Sequence, residues 1–165
     1  MSRKPLLLTA ILSLTVIALT FTLVADSSAV PSIQGDYVLD YRELPDGKRL
    51  QGPDVIGMLT LTADHRNFNV YWKQDGKDFS ISTISTYKLT ATEFSETNIY
   101  ATINDSAKGP TYDTSTATAS SPVKITGDRV EFKLPLHDEP TVAFDSKSLT
   151  ATRQGAFVDH WKKID

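Results

Sequence analysis

Lys73-Gln74-Asp75-Gly76-Lys77-Asp78 constrains this chain's fold more than any other stretch of comparable length. Asp-Gly favours a two-residue turn because both central positions take positive φ, which Gly adopts freely and Asp tolerates. A hairpin closed on Asp75-Gly76 sets Trp72 opposite Phe79, Val70 opposite Ile81 and Phe68 opposite Thr83 on one face. Lys73 then meets Asp78, and Tyr71 meets Ser80, on the other. A slip of one residue would send every side chain to the wrong face, so this agreement of apolar pairs is informative. The pattern predicts an antiparallel meander with one lined face.

The same logic extends in both directions. In Ile33-Gln34-Gly35-Asp36-Tyr37-Val38-Leu39-Asp40-Tyr41, period-two alternation puts Tyr37, Leu39 and Tyr41 on one side. Met58 to Thr62 returns at Asp64-His65, which on a two-residue loop pairs Leu61 with Phe68 and Leu59 with Val70. Phe79, Ile81, Thr83, Ser85, Tyr87 and Leu89 alternate without a break. That run is longer than the usual strand of about 5–6 residues and suits the tilted strands of a barrel. A turn at Ala91-Thr92 pairs Leu89 with Phe94 and Tyr87 with Glu96, and Asn98 and Tyr100 follow on that face.

Residues 104–122, rich in Ser, Thr, Ala and Gly, read as a long surface loop. Beyond it Gly127-Asp128 pairs Ile125 with Val130 and Val123 with Phe132, and Ser146-Lys147 pairs Phe144 with Leu149. A last strand runs from about Phe157 to Lys163, and no segment keeps an amphipathic helical period over three turns. The expected fold is all-β, an up-and-down antiparallel meander barrel of about 8–10 strands.

Arg3 and Lys4 precede an uncharged stretch from Pro5 to Ala25, followed by the small residues Ser27-Ser28-Ala29. This is the pattern of a signal peptide over residues 1–29, cleaved after Ala29. The stretch is also nearly long enough to remain as an anchor. Both readings export the remainder, to the periplasm or the extracellular space, with the barrel domain over residues 30–165. Without Arg3, Lys4 and Asp26, the 17 basic and 20 acidic residues become 15 and 19, a net charge of −4. A mildly acidic domain without a basic stripe argues against nucleic acid, and against a membrane surface beyond the leader. The chain has no cysteine, which excludes disulfides, thiolate metal sites and a cysteine nucleophile.

Three short patterns resemble the secreted lipocalin-like domains. Ile33-x-Gly35-x-Tyr37-x-Leu39 resembles their opening Gly-x-Trp strand, with Tyr37 where Trp is usual. Gly57-x-Leu59-x-Leu61 with Asp64-His65 resembles their next hairpin. His160-Trp161-Lys162-Lys163-Ile164 resembles their last strand, and the likeness spans residues 33 to 164. It implies a calyx for a small, usually apolar ligand.

The candidate site is the inner face: Tyr37, Tyr41, Trp72, Phe79, Tyr87, Glu96 and Tyr100. Aromatic rings with a few polar groups suit a pocket for a small hydrophobic or amphipathic molecule, and equally a filled core. Glu96 is the outlier, a carboxylate among apolar neighbours with Tyr87 opposite it. If both face the lumen, they are a ligand-polarising pair or an acid–base pair. A bulge near Thr92 would instead turn Glu96 to water. His65 and His137 lie in turns and His160 in the last strand. No His-x-His, His-Glu-x-x-His, calcium-loop or Gly-x-Ser-x-Gly pattern occurs, so neither metal nor cofactor nor hydrolase triad is expected. The readings are therefore an exported binding module, a structural or surface-interaction domain with a filled core, or a cofactor-independent acid–base enzyme.

Overall fold

The computed structural model describes residues 30–164, and the leader expected over residues 1–29 lies outside them. The first six strands are β1 Gly35–Glu43, β2 Arg49–Leu50, β3 Val55–Leu61, β4 His65–Gln74, β5 Lys77–Leu89 and β6 Glu93–Asp105. Then come β7 Gly109–Asp113, β8 Thr118–Thr126, β9 Arg129–Lys133, β10 Thr141–Phe144, β11 Ser148–Arg153 and β12 Phe157–Lys163. Ten of them form one antiparallel sheet in the order β1-β3-β4-β5-β6-β8-β9-β10-β11-β12. β12 pairs back onto β1, from Tyr37 with Lys163 to Glu43 with Val158, and closes the barrel. β2 and β7 are short additions on β1 and β6.

The hairpin on Asp75-Gly76 has the register its residues predict, from Lys73 with Asp78 to Phe68 with Thr83. Asp75 and Gly76 both have positive φ, at 53° and 73°. The Trp72 and Phe79 rings stack at 5.4 Å between centroids. Leu89 pairs with Phe94 and Tyr87 with Glu96, as do Ile125 with Val130 and Phe144 with Leu149.

The first hairpin differs. Leu61 pairs with Arg66 and Leu59 with Phe68, two places from the register expected of a turn at Asp64-His65. The turn is Ala63-Asp64, because the Thr62 hydroxyl accepts from the backbone of Asp64 and His65 and the Thr62 amide donates to the His65 carbonyl. A shift of two keeps every side chain on its face and places Arg66 inside beside Leu61. Residues 104–122 are not one loop either. They contain β7 and most of β8, whose side chains alternate between exposed and half-buried as in a strand with one solvated face, whatever its low complexity.

Two bulges redirect side chains. Between Leu39 and Tyr41 the β1–β12 register shifts, so Tyr37 and Leu39 face in but Arg42, not Tyr41, is the next inward residue. In β6 the partner of Ile84 is Tyr100 and that of Ser85 is Asn98, leaving Ile99 unpaired. Tyr100 is thereby turned outward beside Tyr112, and Ala101 inward.

The core gathers Ile33, Tyr37, Leu61, Tyr87, Phe94, Phe132, Phe144 and Trp161. Ile33 lies just before β1 and covers that end of the barrel, its carbonyl accepting from the Tyr37 hydroxyl at 3.0 Å. Gly57 makes room for the Trp161 ring. A Cβ there would lie 2.6 Å from its Cη2 atom, so the glycine of the β3–β4 hairpin is needed for space.

Candidate functional site

A cavity of about 110 Å³ lies within the barrel. Its walls are mainly apolar, including Leu59, Phe68, Val70, Phe132, Val142 and Trp161. Trp72, Ile81 and Phe157 stand toward one end of the barrel and remain half-buried, whereas Ile33 covers the other. Set into these walls are two buried guanidiniums, Arg42 and Arg66.

Arg42 faces inward because of the bulge in β1, which sets it directly across from Asp159 on β12. Asp159 is inward because it shares the alternation of Trp161. Arg42 Nε donates to Asp159 Oδ1 at 2.6 Å and Nη2 to Oδ2 at 2.8 Å, a bidentate pair. The guanidinium lies 4.0 Å from the Phe157 ring centre and 5.2 Å from that of Trp72. Burial pushes the Asp159 carboxyl upward, against the opposing pull of Arg42.

Arg66 has two carboxylate partners. Nη1 donates to Glu96 Oε1 at 2.8 Å, and the same nitrogen and Nη2 reach Glu139 Oε2 at 3.2 Å and Oε1 at 2.8 Å. Burial alone would lower the Arg66 guanidinium, but Glu139 and Glu96 outweigh it and hold it above its ordinary value. The Ser85 hydroxyl donates to Glu96 Oε1 at 2.5 Å. Glu96 Oε2 is buried without a hydrogen-bond partner, as is the Thr83 hydroxyl on the same inner face.

Glu139 comes from the β9–β10 connection, residues 134–140. β6 pairs with β8 only over Glu93–Thr97 and farther along pairs with β7. The connection turns inward at this gap in the wall, burying Leu134 and Leu136 and sending Glu139 to Arg66. His137 and Asp138 have positive φ, near 50°, and Arg153 donates to Asp138 at 2.6 Å.

Of the expected site residues, Trp72 lines the cavity and Phe79 stacks on it. Tyr37 and Tyr87 face inward but are packed in the core. Glu96 is inward and 2% exposed, held by Arg66 and Ser85. The Tyr87 hydroxyl donates to the Thr62 carbonyl at 2.6 Å and not to Glu96, and burial pushes it up to about 12. The two side chains therefore share no hydrogen bond. Tyr41 and Tyr100 are turned away by the bulges; Tyr41 stacks on His160 at 4.3 Å, on the outside of the barrel.

Arg42, Arg66, Glu139 and Asp159 were not among the expected residues. Arg66 shares the alternation of Phe68, Val70 and Trp72, and Asp159 that of Trp161, so both carried a signal. Arg42 was hidden by the bulge, and Glu139 by its place in a loop. Comparison with protein-family models, with curated proteins and with solved structures finds no match to this chain.

Proposed function

We propose that this chain is an exported, lipocalin-like binding domain that holds a small hydrophobic or amphipathic molecule in the barrel lumen. The observation that carries this reading is the cavity between Phe68, Trp72, Val142 and Trp161. An apolar enclosure with a few polar groups is the usual composition of a small-molecule site. Its size sets a limit. At about 110 Å³ it is below the roughly 300–1,000 Å³ of drug-sized pockets, so the ligand is small or enters only in part. Export rests on the leader pattern of Arg3, Lys4 and Ser27-Ser28-Ala29.

Native mass spectrometry of the exported protein tests both. The expected result is a chain beginning at Val30 carrying a small-molecule adduct that is lost on denaturation. Ala151 lines the cavity, so Ala151→Leu should fill it and remove the adduct. A chain beginning at Met1 in the membrane fraction would mean a retained anchor. Adduct-free protein, with Ala151→Leu gaining stability, would mean a structural domain whose core is simply imperfectly filled.

A further inference from the structure

Around the cavity the charges do not balance. Arg42, Arg66, Arg153 and His137 line it together with Asp138, Glu139 and Asp159; Glu96 lies directly behind Arg66, and His137 is set against Asp113 at 3.8 Å. Arg42 is matched by Asp159 and Arg153 by Asp138, one to one. Arg66 alone serves two carboxylates, each buried, with side-chain exposures of 1% for Glu96 and 8% for Glu139. Three guanidiniums thus face four carboxylates, and the surplus negative charge lies at Arg66. A buried charge without a counter-charge is costly, and a buried carboxylate oxygen without a donor is rare. Glu96 Oε2 is such an oxygen.

We propose that the lumen selects a small alkylammonium, whose positive charge balances the surplus carboxylate at Arg66 while its chain fills the apolar cavity. This deepens the lumen-binding reading and rests on it. Glu139 is the group within reach, because it borders the cavity and, among the described residues, its oxygens accept only from Arg66. A carboxylate has about four lone-pair sites, so acceptor capacity is left for an ammonium. Phe68, Phe132, Trp72 and Trp161 supply apolar wall along which the chain of such a ligand would lie. An anion is disfavoured because all three arginines are already matched by carboxylates, and the Trp161 Nε1–H on the cavity wall, unpartnered among the described residues, is a neutral donor that offers no charge. A cavity of about 150 Å³ admits benzene, so one of about 110 Å³ suits a chain of no more than about four carbons.

The test compares n-butylamine, 1-butanol and butyrate at pH 7, which share a chain and differ in charge. Binding is read from the indole N–H signals of Trp72 and Trp161 by NMR, since both rings line the cavity. The amine should bind at least about tenfold more tightly than the alcohol, and butyrate should produce no saturable shift. Glu139→Gln and Glu96→Gln each remove the surplus charge from a different strand or loop. Each should bring the amine-to-alcohol ratio close to one while leaving alcohol binding intact, so loss of one variant to misfolding leaves the other. Equal binding of amine and alcohol by the native protein, or tighter binding of butyrate, would overturn the charge selection and leave the lumen site standing. Saturable binding of none of the three would overturn the lumen reading itself, and the selection with it.

Discussion

Arg42 and Arg66 are both buried in the barrel wall, at 5% and 3% exposure, yet they are neutralised in different ways. Arg42 meets one carboxylate, from the strand beside it, through two short hydrogen bonds and between two aromatic rings. Every feature of that site comes from strand registry, including the bulge that aligns Arg42 with Asp159. Arg66 meets two carboxylates, one from strand β6 and one from a connection folded into a gap in the wall. The first site is a closed pair whose removal on either side strands a charge. The second tolerates loss of one carboxylate and does not tolerate loss of the arginine. Such asymmetry is what a binding group needs, since one partner is in surplus, and what a purely structural pair avoids.

Arg66→Met should produce the largest effect. It leaves Glu96 and Glu139 facing each other in a buried site, and the loss should reach or exceed about 3–5 kcal/mol in denaturant unfolding at pH 7. The stranded carboxyls would have folded-state values raised above their unfolded ones. The unfolded state then binds fewer protons, so the gap to the native protein should narrow as pH falls from 7 toward 4. A gap independent of pH would mean that the arginine acts by packing alone.

Asp159→Asn comes next. Arg42 cannot give up its proton, so it would be left as an unmatched cation between Phe157 and Trp72. The expected loss is about 3 kcal/mol. Glu139→Gln is the matched measurement at the other site. Arg66 keeps Glu96 and the amide oxygen still accepts a hydrogen bond, so stability should change by less than about 1 kcal/mol. Equal losses for Asp159→Asn and Glu139→Gln would abolish the distinction between the two arginines.

How much of this was legible in the sequence follows the same division. Where two strands join through a short turn, turn chemistry and alternation together gave the register, as at Asp75-Gly76, Gly127-Asp128 and Ser146-Lys147. The turn after Leu61 was misplaced by one residue because Thr62 bonds back to Asp64 and His65, an interaction that Asp64-His65 alone does not announce. That error kept every face correct and concealed only what Arg66 was paired with. The bulges at Asp40 and Ile99 were not legible, because a bulge answers to the closure and twist of the whole barrel and not to a local pattern. Tyr41 and Tyr100 were therefore assigned to the wrong face and Arg42 was missed. Glu139 was out of reach for another reason. Its position depends on where β6 exchanges β8 for β7, a long-range event with no local signature.

The smallest expected effect concerns whether Tyr87 belongs to the Arg66 cluster. It pairs with Glu96 across β5 and β6, yet its hydroxyl bonds the Thr62 carbonyl at the β3–β4 turn. Tyr87→Phe should therefore cost about 1 kcal/mol at pH 7, the value of one hydrogen bond. Its coupling to Glu96→Gln should stay at the low end for cross-strand neighbours, about 0.5 kcal/mol, because the two side chains share no hydrogen bond. Alkaline pH gives an independent reading. Burial holds the folded phenol until about 12, whereas an unfolded one ionises near 10. Between those values the native state binds more protons than the unfolded state, so this contribution to stability is present below about pH 10 and is lost as pH rises toward 12. Tyr87→Phe lacks that loss, and the difference between the two proteins should shrink between pH 9 and pH 11.5. A difference that stays constant with pH would mean that burial does not hold the phenol neutral, and strong non-additivity against Glu96→Gln would place Tyr87 on Glu96. The Arg66 site would then hold a phenolic donor as well, and its surplus carboxylate would already be partly satisfied.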